Sequence, residues 1–212
     1  MAWQTLALPD AELRYAPQWI DAAEADALVS ALRDCISWER HRLRLFGREV
    51  DAPRLSCWIG DRDATYSYSR TRFVPHPWPD ALLLIRRRLR ADCDADFNGV
   101  LANLYRDGND SMGWHADDEP ELGARPLIAS LSLGAPRRFV IRHRDDPARR
   151  LAVELAHGSL LLMAGDTQLH YRHALPKTAR MVGPRINLTF RQLHPGMRNP
   201  YVQVVDNGAA SE

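Results

Sequence analysis

From residue 98 onward the chain is a succession of short apolar runs separated by turn residues. The clearest runs are GVLANLY at 99–105, PLIASLSLG at 126–134, GSLLLMAG at 158–165 and RINLTFRQL at 185–193. Many short strands with frequent turns and little helix are typical of a β-sandwich, a jelly roll or a barrel. The sequence therefore predicts a mainly β structure for this part of the chain.

The preceding residues have a different pattern. Apolar residues recur at helical spacing over 21–37, where Asp21 is placed to cap the helix, and again over 78–90. A strand is expected over 54–59 and a turn at Phe46-Gly47. Helices flanking a β core predict an α+β arrangement.

These patterns divide the chain into three parts. Residues 1–97 hold the N-terminal helices and the turn region, residues 98–193 hold the β core, and residues 194–212 form a C-terminal tail. A chain of 212 residues is long enough to bury a substantial core. We expect the parts to form one compact domain overall.

Composition narrows the class of protein. The 28 basic and 27 acidic residues leave a net charge of +1, which excludes a polybasic tail protein and an acidic disordered one. The three cysteines, Cys35, Cys57 and Cys93, are far apart in the sequence, which argues against a disulfide framework and a cysteine-based zinc site. No apolar run approaches the length of a membrane span, and no targeting signal is recognisable. We expect a cytoplasmic protein without a membrane partner.

A metal-binding pattern lies at the centre of the β region. His115 and Asp117 are two residues apart, so in an extended segment their side chains leave the same face, and His170 and His173 follow much later. Two histidines and one carboxylate form the facial triad of non-haem Fe(II) oxygenases. A histidine near an aspartate is also common as an ordinary polar pair, and the spacing alone does not decide between these readings.

The last strand alternates strictly between apolar and polar residues. Its polar face carries two guanidinium groups, an amide and a hydroxyl, from Arg185, Asn187, Thr189 and Arg191. Such a row of donors fits a dicarboxylate, which arginine binds through two parallel hydrogen bonds, although a face exposed to water would look the same. Asn103 and Tyr105 form a similar pair on one face of an earlier strand.

Four motifs, taken in order, resemble the AlkB family of Fe(II)- and 2-oxoglutarate-dependent dioxygenases that repair alkylated nucleic acid. They are NLYRDGNDSMGWHADDE at 103–119, PLIASLSLGA at 126–135, HALP at 173–176 and PRINLTFR at 184–191. The similarity extends from about Leu43 to Leu193. It implies a double-stranded β-helix (jelly-roll) core with flanking N-terminal helices and a substrate-binding hairpin.

The resemblance also implies roles for individual residues. His115, Asp117 and His173 would bind Fe(II), with His173 preferred over His170 because it begins the HALP motif. Asn103, Tyr105, Arg185 and Arg191 would hold 2-oxoglutarate, supported by Asn187 and Thr189. The reaction implied consumes 2-oxoglutarate and O₂, releases succinate and CO₂, and oxidises an N-methyl group that leaves as formaldehyde.

The implied substrate is a base such as 1-methyladenine or 3-methylcytosine in single- or double-stranded DNA, with RNA as a further candidate, bound by a monomer. Phe46, at the Phe46-Gly47 turn, matches a residue that wedges into the duplex, and packing into the local core is the competing interpretation. The other implied contacts are a stacking Tyr66 with Tyr68 nearby, a base-facing Asp118, and backbone-binding Arg48 and Arg54; Arg142 and Arg144 are further candidates for phosphate binding.

Three other functions fit part of the pattern. The same chemistry can act on RNA, on protein or on a small molecule. A non-catalytic jelly roll that binds nucleic acid needs neither a metal triad nor paired arginines. A zinc hydrolase would use the triad but would leave the arginines of the last strand without a role.

Overall fold

The computed structural model describes residues 2–45, 48–68 and 71–194. At 43–45, 48–49, 66–68 and 71–73 it describes the backbone only. Strands dominate these residues and helices are few, as the sequence predicts. Two antiparallel sheets face each other and two short hairpins accompany them. The two main sheets, of seven and four strands, form the body of the fold.

The larger sheet has seven strands. Their spatial order is β1 (Gln4–Thr5), β2 (Glu12–Ala16), β13 (Ser159–Ala164), β10 (Ile128–Gly134), β15 (Arg185–Arg191), β8 (Gly99–Tyr105) and β5 (Leu55–Gly60). β15 lies between β10 and β8, with Asn187 opposite both Ser132 and Asn103. The polar face of β15 is thus at the centre of this sheet.

The smaller sheet has four strands, in the order β12 (Arg150–Leu155), β11 (Arg137–His143), β14 (Tyr171–Leu175) and β9 (Met112–His115). β3 (Arg42–Leu45) with β4 (Arg48–Asp51), and β6 (Tyr66–Tyr68) with β7 (Thr71–Phe73), form the two hairpins. Strands β8 to β15 contribute four strands to each main sheet. This confirms the jelly-roll core.

The helices flank the sheets. They are α1 (Ala22–Cys35), α2 (Asp80–Cys93), the single turn α3 (Thr167–His170) and a 3₁₀ turn at Pro120–Leu122. Asp21 caps α1 by accepting a hydrogen bond from the Glu24 backbone N–H at 2.8 Å, as predicted. α1 and α2 lie within a few residues of their predicted bounds, whereas α3 was not predicted. None of the helices in the described ranges is both long and apolar enough to cross a membrane.

Two apolar layers hold the structure together. One lies between α1, α2 and the outer face of the larger sheet, and includes Leu32, Leu89 and Phe190. The other lies between the two sheets and includes Phe139 and Ile141. β15 divides its side chains between the two layers, because alternate residues of a strand point to opposite faces.

The larger sheet also joins the N-terminal part of the chain to the β core. β5 pairs with β8 from Leu55–Leu104 to Gly60–Gly99, and β2 pairs with β13. The boundary at residue 97 marks a change in the sequence pattern, from helical spacing to short apolar runs. The larger sheet contains strands from both sides of that boundary.

Candidate active site

A cluster of three side chains lies between the sheets at one edge of the smaller sheet. His115 ends β9 and stands directly opposite His173 of β14, and Asp117 follows β9 by two residues. One ligand atom from each residue lies within 4.8 Å of the others. The rings of His115 and His173 are 4.2 Å apart, centroid to centroid. Antiparallel pairing thus brings together three residues that span 59 positions of sequence.

The protonation of the two histidines suits metal binding. The Gly113 carbonyl lies 2.8 Å from His115 Nδ1, and because a carbonyl can only accept, Nδ1 carries the proton and leaves Nε2 with a lone pair. Burial lowers the pKa of His115, and burial together with the neighbouring His115 lowers the pKa of His173 to about 3. Both rings are therefore neutral near pH 7, which is the form that coordinates a metal ion.

The carboxylate of the cluster is held from two sides. Asp117 Oδ1 accepts a hydrogen bond from the Arg191 guanidinium, and its backbone N–H donates to Gln168 Oε1 at 2.9 Å. Burial on its own would raise the pKa of Asp117, but Arg191 and the two histidines hold it below the ordinary value. Asp117 is thus a buried anion with a fixed position, 3.7 Å from His173 Nε2.

A pocket adjoins this cluster and is walled by β15. Arg185, Asn187, Thr189 and Arg191 all face the pocket, so the predicted polar face of β15 lies in the interior and is not exposed to water. The pocket is lined by these four and by Leu101, Asn103, Tyr105, Met112, His115, Asp117, Ser130, Phe139, Met163, His173 and Leu175. Every residue predicted to bind metal or 2-oxoglutarate lines this one pocket.

Arg185 is a buried cation without a counter-ion in the described part of the chain. It is 2% exposed, donates to Ser132 Oγ at 2.9 Å, and its carbon Cζ lies 5.3 Å from the centre of the Tyr105 ring. Its Nε has no hydrogen-bond partner among the described residues, and none of their carboxylates lies within 4 Å. Burial lowers the pKa of Arg185 to about 10, still charged near neutrality. An anion bound here would satisfy both the charge and the free donor.

The amide and hydroxyl groups of the pocket form a connected network. Asn187 Nδ2 donates to Ser130 Oγ at 2.8 Å, and Thr189 Oγ1 donates to Asn187 Oδ1 at 3.1 Å. Asn103 Oδ1 accepts from Arg54 Nε at 2.9 Å. Such bonds fix the orientation of the amides, as expected for residues that support a binding site.

The position of Arg54 corrects one prediction. Arg54 is 6% exposed and is directed at Asn103 behind the pocket, so it is not available to a phosphate backbone. The predicted phosphate contact by Arg54 is therefore wrong. It precedes β5 at the edge of the larger sheet, and that edge was not recognisable in the sequence.

Asp118, next to the cluster residue Asp117, forms an ion pair with Arg144. Asp118 and Arg144 are 2.6 Å apart, and Arg144 also donates to the Gln168 carbonyl at 3.0 Å. Arg144 is therefore occupied by internal contacts and is a poor candidate for phosphate binding. His170 is not part of the triad; its ring stacks on His143 with centroids 5.9 Å apart.

Several predicted substrate contacts lie outside what the structure describes. Phe46 and Gly47 fall in the gap at residues 46–47. Arg48 begins β4, and Tyr66 and Tyr68 begin and end β6, but their side chains are outside the described set. These five roles stay predictions.

Gln168 contacts the cluster and was not predicted from the sequence. It is 2% exposed, accepts from Asp117 N, and donates through Nε2 to Met163 Sδ at 3.7 Å. It lies in the four-residue helix α3, which is too short to give a periodic signal. The sequence shows only a glutamine five residues before His173, which does not reveal the contact.

The donor set fits Fe(II) and 2-oxoglutarate. Two neutral imidazoles and one carboxylate grouped within 4.8 Å match the ligand set of non-haem iron, and no cysteine belongs to the cluster. The buried Arg185 in the same pocket, with an unused donor, fits the carboxylate of a dicarboxylic acid. A zinc hydrolase offers no use for this second feature.

Comparison with known proteins agrees with this chemistry. The family model described as "2OG-Fe(II) oxygenase superfamily" matches residues 12–191. The chain is 38% identical over 194 residues to alpha-ketoglutarate-dependent dioxygenase alkB homolog 3 of Bos taurus, covering 87% of this chain and 67% of that protein. It is 41% identical over 181 residues to DNA oxidative demethylase ALKBH2 of Homo sapiens, covering 81% and 69%. It spans about two thirds of each relative.

A solved structure shares the fold. The structure titled OsALKBH1 superposes with a TM-score of 0.63 at 16% identity, covering 90% of this chain and 100% of that one. At that identity the likeness concerns the jelly-roll fold alone. The family model and the sequence relatives, together with the triad and the arginine pocket, establish the assignment. The chain belongs to the 2OG-Fe(II) oxygenase superfamily and, within it, to the AlkB family of dioxygenases, whose cofactors are Fe(II), 2-oxoglutarate and O₂.

Proposed function

We propose that this protein is an oxidative demethylase of N-alkylated bases in DNA, such as 1-methyladenine and 3-methylcytosine, and that it acts in alkylation repair. The observation that carries the proposal is the single pocket that joins the His115, Asp117 and His173 cluster to the buried Arg185. The relatives named DNA oxidative demethylase support DNA as the substrate. RNA is the alternative, and a monomer is the expected state.

In this proposal the chain provides five fixed groups. His115, Asp117 and His173 would hold Fe(II), and Arg185, with Tyr105 against its guanidinium, would pair with a carboxylate of 2-oxoglutarate. When bound, the iron and 2-oxoglutarate supply the O₂-dependent oxidation of the methyl group, which is chemistry that no side chain can perform.

The remaining residues of the pocket orient these groups and limit water. Arg191 keeps Asp117 ionised and fixes its carboxylate, and Gln168 fixes the backbone at the same residue. Phe139 lies against His173 with ring centroids 5.2 Å apart and gives the pocket an apolar wall. A site whose groups are held in fixed positions favours oxidation of the positioned methyl over side reactions.

The alkylated base is proposed to enter beside Asp118. Its side chain is 54% exposed and lies one residue from Asp117. Methylation at the Watson–Crick edge makes adenine and cytosine cationic, so a carboxylate at this point favours the damaged base. Arg144 pairs with Oδ2 of Asp118, and the proposal assigns the base to the other carboxylate oxygen, Oδ1. Because the edge is hidden in a duplex, the base must leave the stack to reach it, with Tyr66 as the proposed stacking partner.

Formaldehyde release from an oligonucleotide containing 1-methyladenine or 3-methylcytosine tests the proposal. The protein is loaded anaerobically with Fe(II) and 2-oxoglutarate and then exposed to air, with Asp117→Ala as the control after its fold is checked by circular dichroism. Release by the native protein alone supports the proposal. Consumption of 2-oxoglutarate without formaldehyde release excludes this substrate. If neither 2-oxoglutarate consumption nor formaldehyde release is detected, the non-catalytic jelly roll that binds nucleic acid is favoured. Methylated RNA run in parallel separates the two nucleic acids.

A further inference from the structure

The two main sheets differ in what covers their outer faces. α1 and α2 pack on the outer face of the larger sheet. The outer face of the smaller sheet has no helix packed on it in the described part of the chain, and its outward residues include Arg138, Arg142, Arg150 and Arg172, all exposed. One sheet face is therefore built into the core, whereas the other is a basic surface.

Three of these arginines form a row across three neighbouring strands. Arg142 of β11 stands directly opposite Arg150 of β12 on one side and Arg172 of β14 on the other. We call Arg150, Arg142 and Arg172 the arginine row. Like charges directly opposite each other on a sheet repel, so this register is unfavourable in isolation.

Acidic residues do not neutralise the arginine row. Within the described ranges, none of its three members lies within 4 Å of a carboxylate. Other arginines, such as Arg86, Arg106 and Arg149, do form ion pairs with carboxylates. Glu154 faces outward too, but it stands opposite Arg138 and not opposite the row. Three adjacent guanidinium groups without a counter-ion match an anionic ligand with repeated charges.

An exposed tryptophan connects the arginine row to the active site. Trp114 lies on β9, the edge strand, immediately before His115, and is 44% exposed. Arg142 Cζ lies 4.5 Å from the centre of the Trp114 ring, so the arginine reaches across β14 to it. An exposed aromatic ring beside a row of cations is the arrangement by which proteins hold single-stranded nucleic acid.

We propose that the outer face of the smaller sheet binds the part of the nucleic-acid strand that flanks the target nucleotide. The arginine row pairs with consecutive phosphates, and Trp114 stacks on a base next to the one in the active site. This inference rests on the proposed function for the identity of the strand. Strands are about 4.8 Å apart, so the row is about 10 Å long and spans about two to three phosphates of one strand.

Binding of an unmethylated single-stranded oligonucleotide, followed by fluorescence anisotropy over a range of salt concentrations, tests the arginine row without turnover. The test variant is Arg142→Gln with Arg150→Gln, which spares the residue next to His173. The matched control is Arg33→Gln with Arg87→Gln, two exposed arginines on α1 and α2 with the same change in charge. We expect the test variant to lower the salt slope by about 1.4 and the affinity about 20-fold at 0.1 M salt, and the control to change neither.

Trp114 is tested with two substitutions. Trp114→Ala should weaken binding about tenfold and Trp114→Phe should restore most of it, because phenylalanine still stacks. Uncoupled 2-oxoglutarate consumption and Mn(II) affinity check that His115 is undisturbed. Equal salt slopes for the test and control arginine variants would overturn the proposal, and so would equal binding by the two Trp114 variants. Since binding is measured without methylated bases, an inactive demethylase does not by itself produce either result.

Discussion

Gln168 Oε1 accepts a hydrogen bond of 2.9 Å from the backbone N–H of Asp117. This single bond ties the short helix α3, which precedes His173, to the loop that carries the carboxylate of the cluster. Residues on two different connections are thereby held in one geometry. Residues that hold a metal ligand in place in this way also affect how tightly the site binds its metal.

Replacing Gln168 with alanine should therefore weaken metal binding. The buried N–H of Asp117 would lose its acceptor, and the carboxylate would gain freedom. We expect Mn(II) affinity, measured by calorimetry, to fall about 10- to 100-fold. Leu169→Ala, at the exposed neighbouring position, should leave the affinity unchanged. An unaltered Mn(II) affinity in Gln168→Ala would remove the positioning role.

Substitution by methionine should change the free energy of unfolding in opposite directions at Arg185 and at Arg137. Arg137 is equally buried but donates to the carbonyls of Asp107, Asp110 and Pro176 at 2.8–3.0 Å. Arg137→Met leaves these carbonyls without that donor and should lower the free energy of unfolding by about 3 kcal/mol. Arg185→Met removes a buried cation with no described counter-ion and should raise it by about 2 kcal/mol.

Urea denaturation of the metal-free protein measures both changes. In Arg185→Met, 2-oxoglutarate should also no longer raise the melting temperature in the presence of Mn(II), whereas it does so in the native protein. Destabilisation by Arg185→Met would show that the guanidinium is structural and is not reserved for an anion.

The buried pair of Asp117 and Arg191 should show strong coupling. Asp117→Ala leaves the Arg191 charge buried without that carboxylate, and we expect a loss of about 3 kcal/mol in the metal-free protein. Adding Arg191→Met should recover part of this loss. A double-mutant cycle in urea gives the interaction energy, and purely additive effects would refute the coupling.

The contribution of Asp110 to the free energy of unfolding should depend on pH. Hydrogen bonds from Arg106, at 2.8 Å, hold the pKa of Asp110 below its ordinary value. A carboxyl whose pKa is lower in the folded protein stabilises it fully above the unfolded value, and this contribution is lost as the pH falls through the folded value. Asp110→Asn should cost about 1 kcal/mol near pH 7.

That cost should shrink as the pH falls below about 4, because the Asp110 carboxyl of the unfolded chain becomes protonated first and that of the folded protein at lower pH. Urea denaturation at pH 7, 5 and 3 follows the difference between the two proteins. Asp145→Asn, at an exposed position, is the control and should show no difference at any pH. A gap that stays constant to pH 3 would contradict the assignment.

Phe46 predicts a difference between substrates. If the Phe46-Gly47 turn wedges into a duplex, Phe46→Ala should lower formaldehyde release from double-stranded substrate about tenfold more than from single-stranded substrate. The release rates of both proteins on both substrates, compared at one salt concentration, give this ratio. An equal loss on the two substrates would favour the local-core interpretation.

Alternation, motif spacing and the resemblance to the AlkB family together predict most of the site. The polar face of β15 is a direct consequence of the two-residue period of a strand, so the sequence predicts it. His115 and Asp117 do meet in one cluster, but Asp117 lies in the loop after β9 and not on the strand. What the pattern does not contain is which strand lies beside which. The burial of Arg54 behind Asn103 depends on β5 joining β8, and the row formed by Arg142, Arg150 and Arg172 depends on the register of three strands.

Short elements and long-range pairs are the parts of the site that the sequence does not predict. α3 is one turn long, so the contact of Gln168 with Asp117 has no periodic signature. The ion pair of Asp118 with Arg144 joins residues 26 positions apart through tertiary packing. Both contacts fix the positions of side chains beside the cluster, and the residue types alone do not predict which side chains meet there.

The division of β15 between two layers has a consequence for how such a protein can diverge. Ile186, Leu188 and Phe190 anchor the strand in the layer under the helices, while Arg185 and its polar companions face the pocket. Mutations on the pocket face alter which acid or base is accepted without touching the residues that secure the strand. Substitutions on that face can therefore change the pocket one side chain at a time while the packing of the strand under the helices is kept.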